Sequence, residues 1–262
     1  MGNYCKKDTP IIIKIVHRKK EKLMNRIALA ILKNFYRFPW VYGKLCYYAK
    51  HTDKYPDQEK YDHIQYMMKK LVTCGNIDLQ VFGKENLPEE SGFLFYGNHQ
   101  GLFDIVGLVA AYDKPFGGVF KKELSNIPLI KQIVACTKSH AMDREDVRQS
   151  MKVIMKVIED INNGKTIAIF PEGTRSRNGN EMLEFHSGSF KCALKTKCKV
   201  VPIAFVDSYK VLDQKGSKPV KVQIHFLDAI EYEEYKDMNT KELATLVHDK
   251  IEQKIKEVEG TF

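Results

Sequence analysis

Gly92-Phe93-Leu94-Phe95-Tyr96-Gly97-Asn98-His99-Gln100-Gly101-Leu102-Phe103-Asp104 opens with an apolar run and then breaks at a polar, glycine-bearing turn. A helical pattern resumes at Phe103 and continues to Ala111. A short apolar run bounded by glycines reads as a buried strand, and the loop after it sits at that strand's C-terminal end. The same arrangement recurs seventy residues later. Thr166–Phe170 is again apolar and runs into Pro171-Glu172-Gly173-Thr174-Arg175-Ser176-Arg177. In open α/β sheets the C-terminal edge of the strands is where ligands bind. Two such loops, one with an imidazole and a carboxylate and the other with a carboxylate and guanidiniums, therefore predict a single site.

Strands are expected at Asp78–Phe82, Gly92–Gly97, Gly117–Phe120, Ser139–Asp143, Thr166–Phe170, Val200–Val206 and Val220–Leu227. Helices are expected at Phe103–Ala111, Leu129–Cys136, Val147–Asn162, Gly188–Lys195 and Thr240–Glu257, with Asn163-Gly164 stopping the third. Strands alternating with helices predict an α/β fold whose mixed, mainly parallel sheet is flanked by helices. This domain is assigned to residues 75–262. Asp213–Pro219 is the clearest surface turn.

His99 and Asp104 are spaced so that a carboxylate in the first helical turn can hold one imidazole nitrogen, leaving the other to accept a proton. Alone, His-x4-Asp is a weak signal. Arg175 adds a planar fork suited to phosphate, and Gly173 allows close approach of backbone to an anion.

These blocks, in this order, resemble the glycerolipid acyltransferases typified by bacterial 1-acylglycerol-3-phosphate acyltransferase. Asn98–Asp104 is similar to that family's His-x4-Asp block, and Phe120-Lys121-Lys122-Glu123-Leu124 to its Lys-x-Glu-Leu segment. Met142-Asp143-Arg144 is similar to its second block, Phe170–Arg175 to its Phe-Pro-Glu-Gly-Thr-Arg block, and Val201-Pro202-Ile203 to its last. The resemblance implies transfer of an acyl group to the sn-2 hydroxyl of 1-acyl-glycerol-3-phosphate, with His99 as general base and Asp104 orienting it. It further implies that Lys121, Arg144, Glu172, Gly173 and Arg175 bind the glycerol phosphate. The donor is acyl-CoA or acyl carrier protein, a substrate rather than a cofactor, and no cofactor is expected. One departure is Gly101, where the family often carries Ser or Thr. Glycerol 3-phosphate or another lysophospholipid as acceptor, a thioesterase and a non-catalytic anionic-lipid-binding module are the competing readings.

The chain has 262 residues and a net charge of +9. Residues 1–70 hold 16 Lys/Arg against six Asp/Glu, and the remainder 26 against 27, so the basic excess is entirely N-terminal. Within it, Leu23–Lys50 is apolar with Arg26, Lys33, Arg37 and Lys44 on one helical face. Pro39 divides or kinks this segment. Trp40, the only tryptophan, and seven of thirteen tyrosines lie between Tyr36 and Tyr66. Aromatics among long basic side chains favour a headgroup boundary. Residues 1–74 are therefore expected to form a helical membrane-contact segment, peripheral or monotopic at the cytoplasmic face. No apolar run spans a bilayer, and no signal peptide is evident. Met1–Lys6 resembles an acylation site but has Lys6 where a hydroxyl is wanted. The six cysteines form no C-x-x-C pair, no metal site is discernible, and no nucleic-acid motif accompanies the basic segment.

Overall fold

The computed structural model describes residues 26, 28–30, 32–33, 35–214 and 218–260. Residues 1–25, with the Met1–Lys6 motif and the start of the Leu23–Lys50 segment, lie outside the described residues, as does the centre of the Asp213–Pro219 turn.

Seven strands form one sheet: β1 (Ile77–Phe82), β2 (Leu94–Gly97), β3 (Phe116–Lys121), β4 (His140–Met142), β5 (Thr166–Ile169), β6 (Val200–Val206) and β7 (Val220–Phe226). Their order is β1-β7-β6-β2-β5-β3-β4. Every pairing is parallel except β6 with β7. The expected mixed, mainly parallel sheet is found, and β2, β3, β4, β5 and β6 all direct their C-terminal ends to the same edge.

Alternation along β2 explains the two layers. Phe93 and Phe95 enter a core on one face, while Leu94 and Tyr96 enter a second core on the other. The first core is covered by α1 (Phe38–Lys50), α2 (Asp57–Cys74), α3 (Phe103–Ala111) and α4 (Ile130–Thr137), through Leu45, Ile64, Leu108 and Cys136. The second is covered by α5 (Val147–Asn162), α6 (Lys191–Thr196) and α9 (Thr240–Glu259), with short helices α7 (Tyr209–Leu212) and α8 (Tyr232–Tyr235) completing the chain. Asp146 caps α5 by accepting from Arg148 and Gln149 amides.

The N-terminal helices are tied into this body. Residues 35–37 form a turn, and α1 then starts with Pro39 in its first turn, where a proline costs no hydrogen bond. Val41 O is bonded by His63 Nε2 at 2.9 Å. Arg26 and Lys33 do not continue a free cationic stripe with Arg37 and Lys44. Arg26 Nη1 donates to Gly75 O at 3.2 Å and Lys33 Nζ to Cys74 O at 3.1 Å, placing two cations on the carbonyl-rich end of α2.

Candidate active site

The loop after β2 and the loop after β5 meet through backbone. His99 N–H donates to Glu172 Oε1 at 2.7 Å, and Ser176 N–H donates to His99 O at 3.0 Å. The second Glu172 oxygen accepts from Leu183 N–H at 3.2 Å. Glu172 is only 2% exposed, and burial pushes its pKa up to about 7 although two amides favour the ionised form. Asn98 fixes the other flank: its side chain donates to Phe205 O at 3.0 Å and accepts from Phe205 N at 2.8 Å, extending the β2–β6 pairing beyond the last strand residue.

His99 Nδ1 lies 2.6 Å from Asp104 Oδ2, and the Asp104 side chain has no solvent exposure. The same oxygen accepts from Gln100 N–H at 2.7 Å and Gly101 N–H at 3.0 Å, and Oδ1 accepts from the Ser208 hydroxyl. Four donors aimed at one buried carboxylate hold it immobile. A carboxylate there accepts a hydrogen bond from Nδ1–H and leaves Nε2 as the free acceptor. The imidazole stacks on Phe170 with ring centroids 4.5 Å apart, which holds its plane. Gln100 closes the network by donating to Asn180 Oδ1 at 2.8 Å and accepting from Ser208 N–H at 3.1 Å.

The remaining residues named from the sequence spread along the same sheet edge. Gly173 has φ +68°, a left-handed turn that glycine adopts without strain, and a Cβ there would meet the His186 ring at 3.0 Å. Arg175 Nη1 donates to Asp213 Oδ1 at 3.1 Å. Burial pushes Asp213 up despite that guanidinium. Lys121 ends β3, half-exposed and paired with Glu123 at 2.8 Å, and Arg144 follows β4, exposed. Among the described residues, no hydrogen bond or ion pair joins Lys121 or Arg144 to the His99 cluster. Strands are about 4.8 Å apart. β2 and β4 are three places apart in the order, so the four cation- and imidazole-bearing loops span roughly 14 Å of edge.

Gly101 is accounted for by packing. A Cβ there would lie 2.8 Å from Asp213 Oδ2 and 3.2 Å from Tyr209 Cα, so the 208–213 segment occupies the space a serine or threonine would need.

The family model described as Acyltransferase matches residues 78–206, which contain all of these loops except the Ser208–Asp213 wall. The chain is 28% identical over 187 residues to a 1-acyl-sn-glycerol-3-phosphate acyltransferase of Borreliella burgdorferi, covering 70% of this chain and 73% of that protein. It is 31% identical over 126 residues to the enzyme of the same description from Helicobacter pylori, covering 48% and 53%. The crystal structure of the 1-acyl-sn-glycerophosphate (LPA) acyltransferase, PlsC, from Thermotoga maritima superposes with a TM-score of 0.73, covering 92% of this chain and 98% of that one, at 22% identity. At that identity the likeness speaks for the fold.

Residues 78–206 form a domain of the acyltransferase family. In this acyltransferase the sequence pattern located the imidazole, its carboxylate and both loops. It missed Asn98, Gln100, Phe170, Asn180 and Ser208, which build the walls. Ser208 and Asn180 had no local signal, since they meet Asp104 and Gln100 from 104 and 80 residues away.

Proposed function

We propose that this acyltransferase moves a fatty acyl chain from a thioester to the free sn-2 hydroxyl of 1-acyl-glycerol-3-phosphate, giving phosphatidic acid. The observation that carries this is the His99–Asp104 pair, anchored by three further donors at the edge of the sheet. Nε2 of His99 accepts the hydroxyl proton as the oxygen attacks the thioester carbonyl. The C–O bond forms and the C–S bond breaks, and the same proton then passes from the imidazolium to the departing thiolate. Asp104 stabilises the imidazolium in between.

The buried thiols among the described residues are poor nucleophiles, which supports direct transfer: burial pushes Cys136 up to about 11 and Cys192 to about 12. A thioester is already activated, so orientation and one base suffice.

Arg175, Lys121 and Arg144 are the phosphate-binding cations in this reading. Arg175 spends one donor on Asp213 and keeps the rest of its fork. Gly173 allows the backbone to approach the phosphate. Glu172 takes a different part from the substrate contact implied by the family resemblance. Its two oxygens are occupied by backbone amides, so it positions His99 instead of touching the lipid.

The lysolipid acceptor is delivered at a membrane surface. Leu32, Phe35, Tyr36 and Tyr47 are exposed along the N-terminal segment, and Trp40 is 65% exposed with Lys44 over its ring at 5.7 Å. No described helix is long and apolar enough to cross a membrane, which fits attachment by this surface.

An acceptor panel tests the proposal. With one acyl thioester, product should form with lysophosphatidic acid far faster than with monoacylglycerol or glycerol 3-phosphate, and mass spectrometry should identify phosphatidic acid. Equal rates with the neutral and phosphorylated lysolipids would remove the phosphate site. Preference for glycerol 3-phosphate would move the acceptor.

A further inference from the structure

Helix α5 carries more apolar surface than the core uses. Val153, Val157 and Ile161 are buried against the sheet. Val147, Met151 and Met155, at i, i+4 and i+8, are 72, 55 and 59% exposed. At about 100° per residue, this stripe continues the apolar arc out into solvent, and Arg148, Lys152 and Lys156 follow as a parallel stripe about 100° further round. All three cations are exposed, and among the described residues none has an ion-pair partner. The helix starts just beyond the C-terminal end of β4, on the catalytic edge of the sheet. It covers the second core, on the opposite sheet face from α1 and its exposed aromatics.

We infer that this face of α5 docks a soluble acidic helical protein that presents the acyl chain as a thioester on a flexible arm. The inference rests on the acyl-transfer reading and deepens it, because it makes the donor a carrier protein. Three observations point to a protein over a bilayer. Exposed aromatics suited to a headgroup layer sit across the sheet, so an enzyme attached there leaves α5 facing water. The α5 stripe is aliphatic and methionine-rich, a surface that adapts to another helix. Its apolar length, nine residues with a rise of about 12 Å, matches one short partner helix, and the cations beside it complement acidic side chains. A thioester arm reaching from this helix arrives at the loop edge that holds His99.

The test compares palmitoyl groups on an acidic acyl carrier protein and on coenzyme A, using the full chain and the variants Lys152→Glu/Lys156→Glu and Met151→Glu. None of these residues belongs to the catalytic cluster. For the charge reversal, KM for the carrier thioester should rise roughly ten-fold or more while KM for the coenzyme A thioester stays within about two-fold. Carrier-protein binding followed by fluorescence anisotropy should weaken in parallel and fall with salt, independently of turnover. Equal changes for both donors, or no change for either, would overturn the docking face. Loss of phosphatidylglycerol-vesicle binding in the same variants, with carrier binding intact, would give the face to the bilayer. Wild-type protein that binds the carrier through these residues yet transfers from neither donor would leave the docking face standing and defeat the acyl-transfer reading.

Discussion

Asp104 accepts from an imidazole, two backbone amides and a hydroxyl while fully buried, so its position is held by the fold and not by solvent. Asp104→Asn puts an amide N–H₂ among those donors, or turns the wrong tautomer of His99 towards the substrate. We expect kcat to drop about 10²–10⁴-fold with little change in either KM. Glu172 gives a second, pH-dependent prediction. Its folded pKa of about 7 lies above its usual 4.5, so the folded state favours the proton. Its contribution to stability is therefore complete below about pH 4.5 and disappears as pH rises through about 7. Positioning of His99 follows the opposite course, because only the ionised carboxylate accepts from both amides. Between pH 6 and 8, kcat should rise while Tm falls through this group. Glu172→Gln should remove that part of the Tm slope and hold kcat near the wild-type acid value with acceptor KM unchanged. A wild-type acid limb retained in Glu172→Gln would dismiss the positioning role. The pair His99 and Asp104 was legible because both lie in one six-residue window. The part played by Glu172 was not, because the sequence shows a carboxylate between Pro171 and Gly173 but not that both of its oxygens meet backbone.

The elements around the site were legible for a simple reason: β2, β5 and β6 are buried on both faces, so their apolar runs stand out and end where glycine, proline or a charge appears. What joins them was less visible. Asn98 bonds Phe205 backbone from 107 residues away, and no periodicity encodes such a contact. Asn98→Ala should cost about 1–3 kcal/mol in urea unfolding, because two buried backbone groups lose their partner. A loss below 0.5 kcal/mol would mean that water or a strand shift replaces it. Gly173→Ala faces both a left-handed backbone and the His186 ring, and should be destabilised by about 1–2 kcal/mol with an acceptor KM that rises. The cationic stripe read on the N-terminal segment divided for a similar reason: Arg26 and Lys33 found the carbonyl end of α2, a partner more than forty residues distant.

At the scale of the molecule, one sheet edge carries the His99–Asp104 cluster, one face carries exposed aromatics and the opposite face carries the cationic helix α5. Apolar side chains left in water from Leu32 to Tyr47 fit a bilayer because each costs about 1.5–3 kcal/mol to expose once it has a place to bury. Phe35→Ser/Trp40→Ser should lower partition to anionic vesicles at least about ten-fold while leaving activity in mild detergent near wild type. Unchanged partition would move the membrane contact elsewhere. The central claim, that His99 drives direct transfer from thioester to a lysolipid hydroxyl, is tested most directly by free-thiol release with and without lysophosphatidic acid, run side by side for wild type and His99→Ala. Release should require the acceptor and fall about 10²–10⁴-fold in His99→Ala at unchanged acceptor KM. Release without acceptor, or a variant that keeps wild-type turnover, would contradict it.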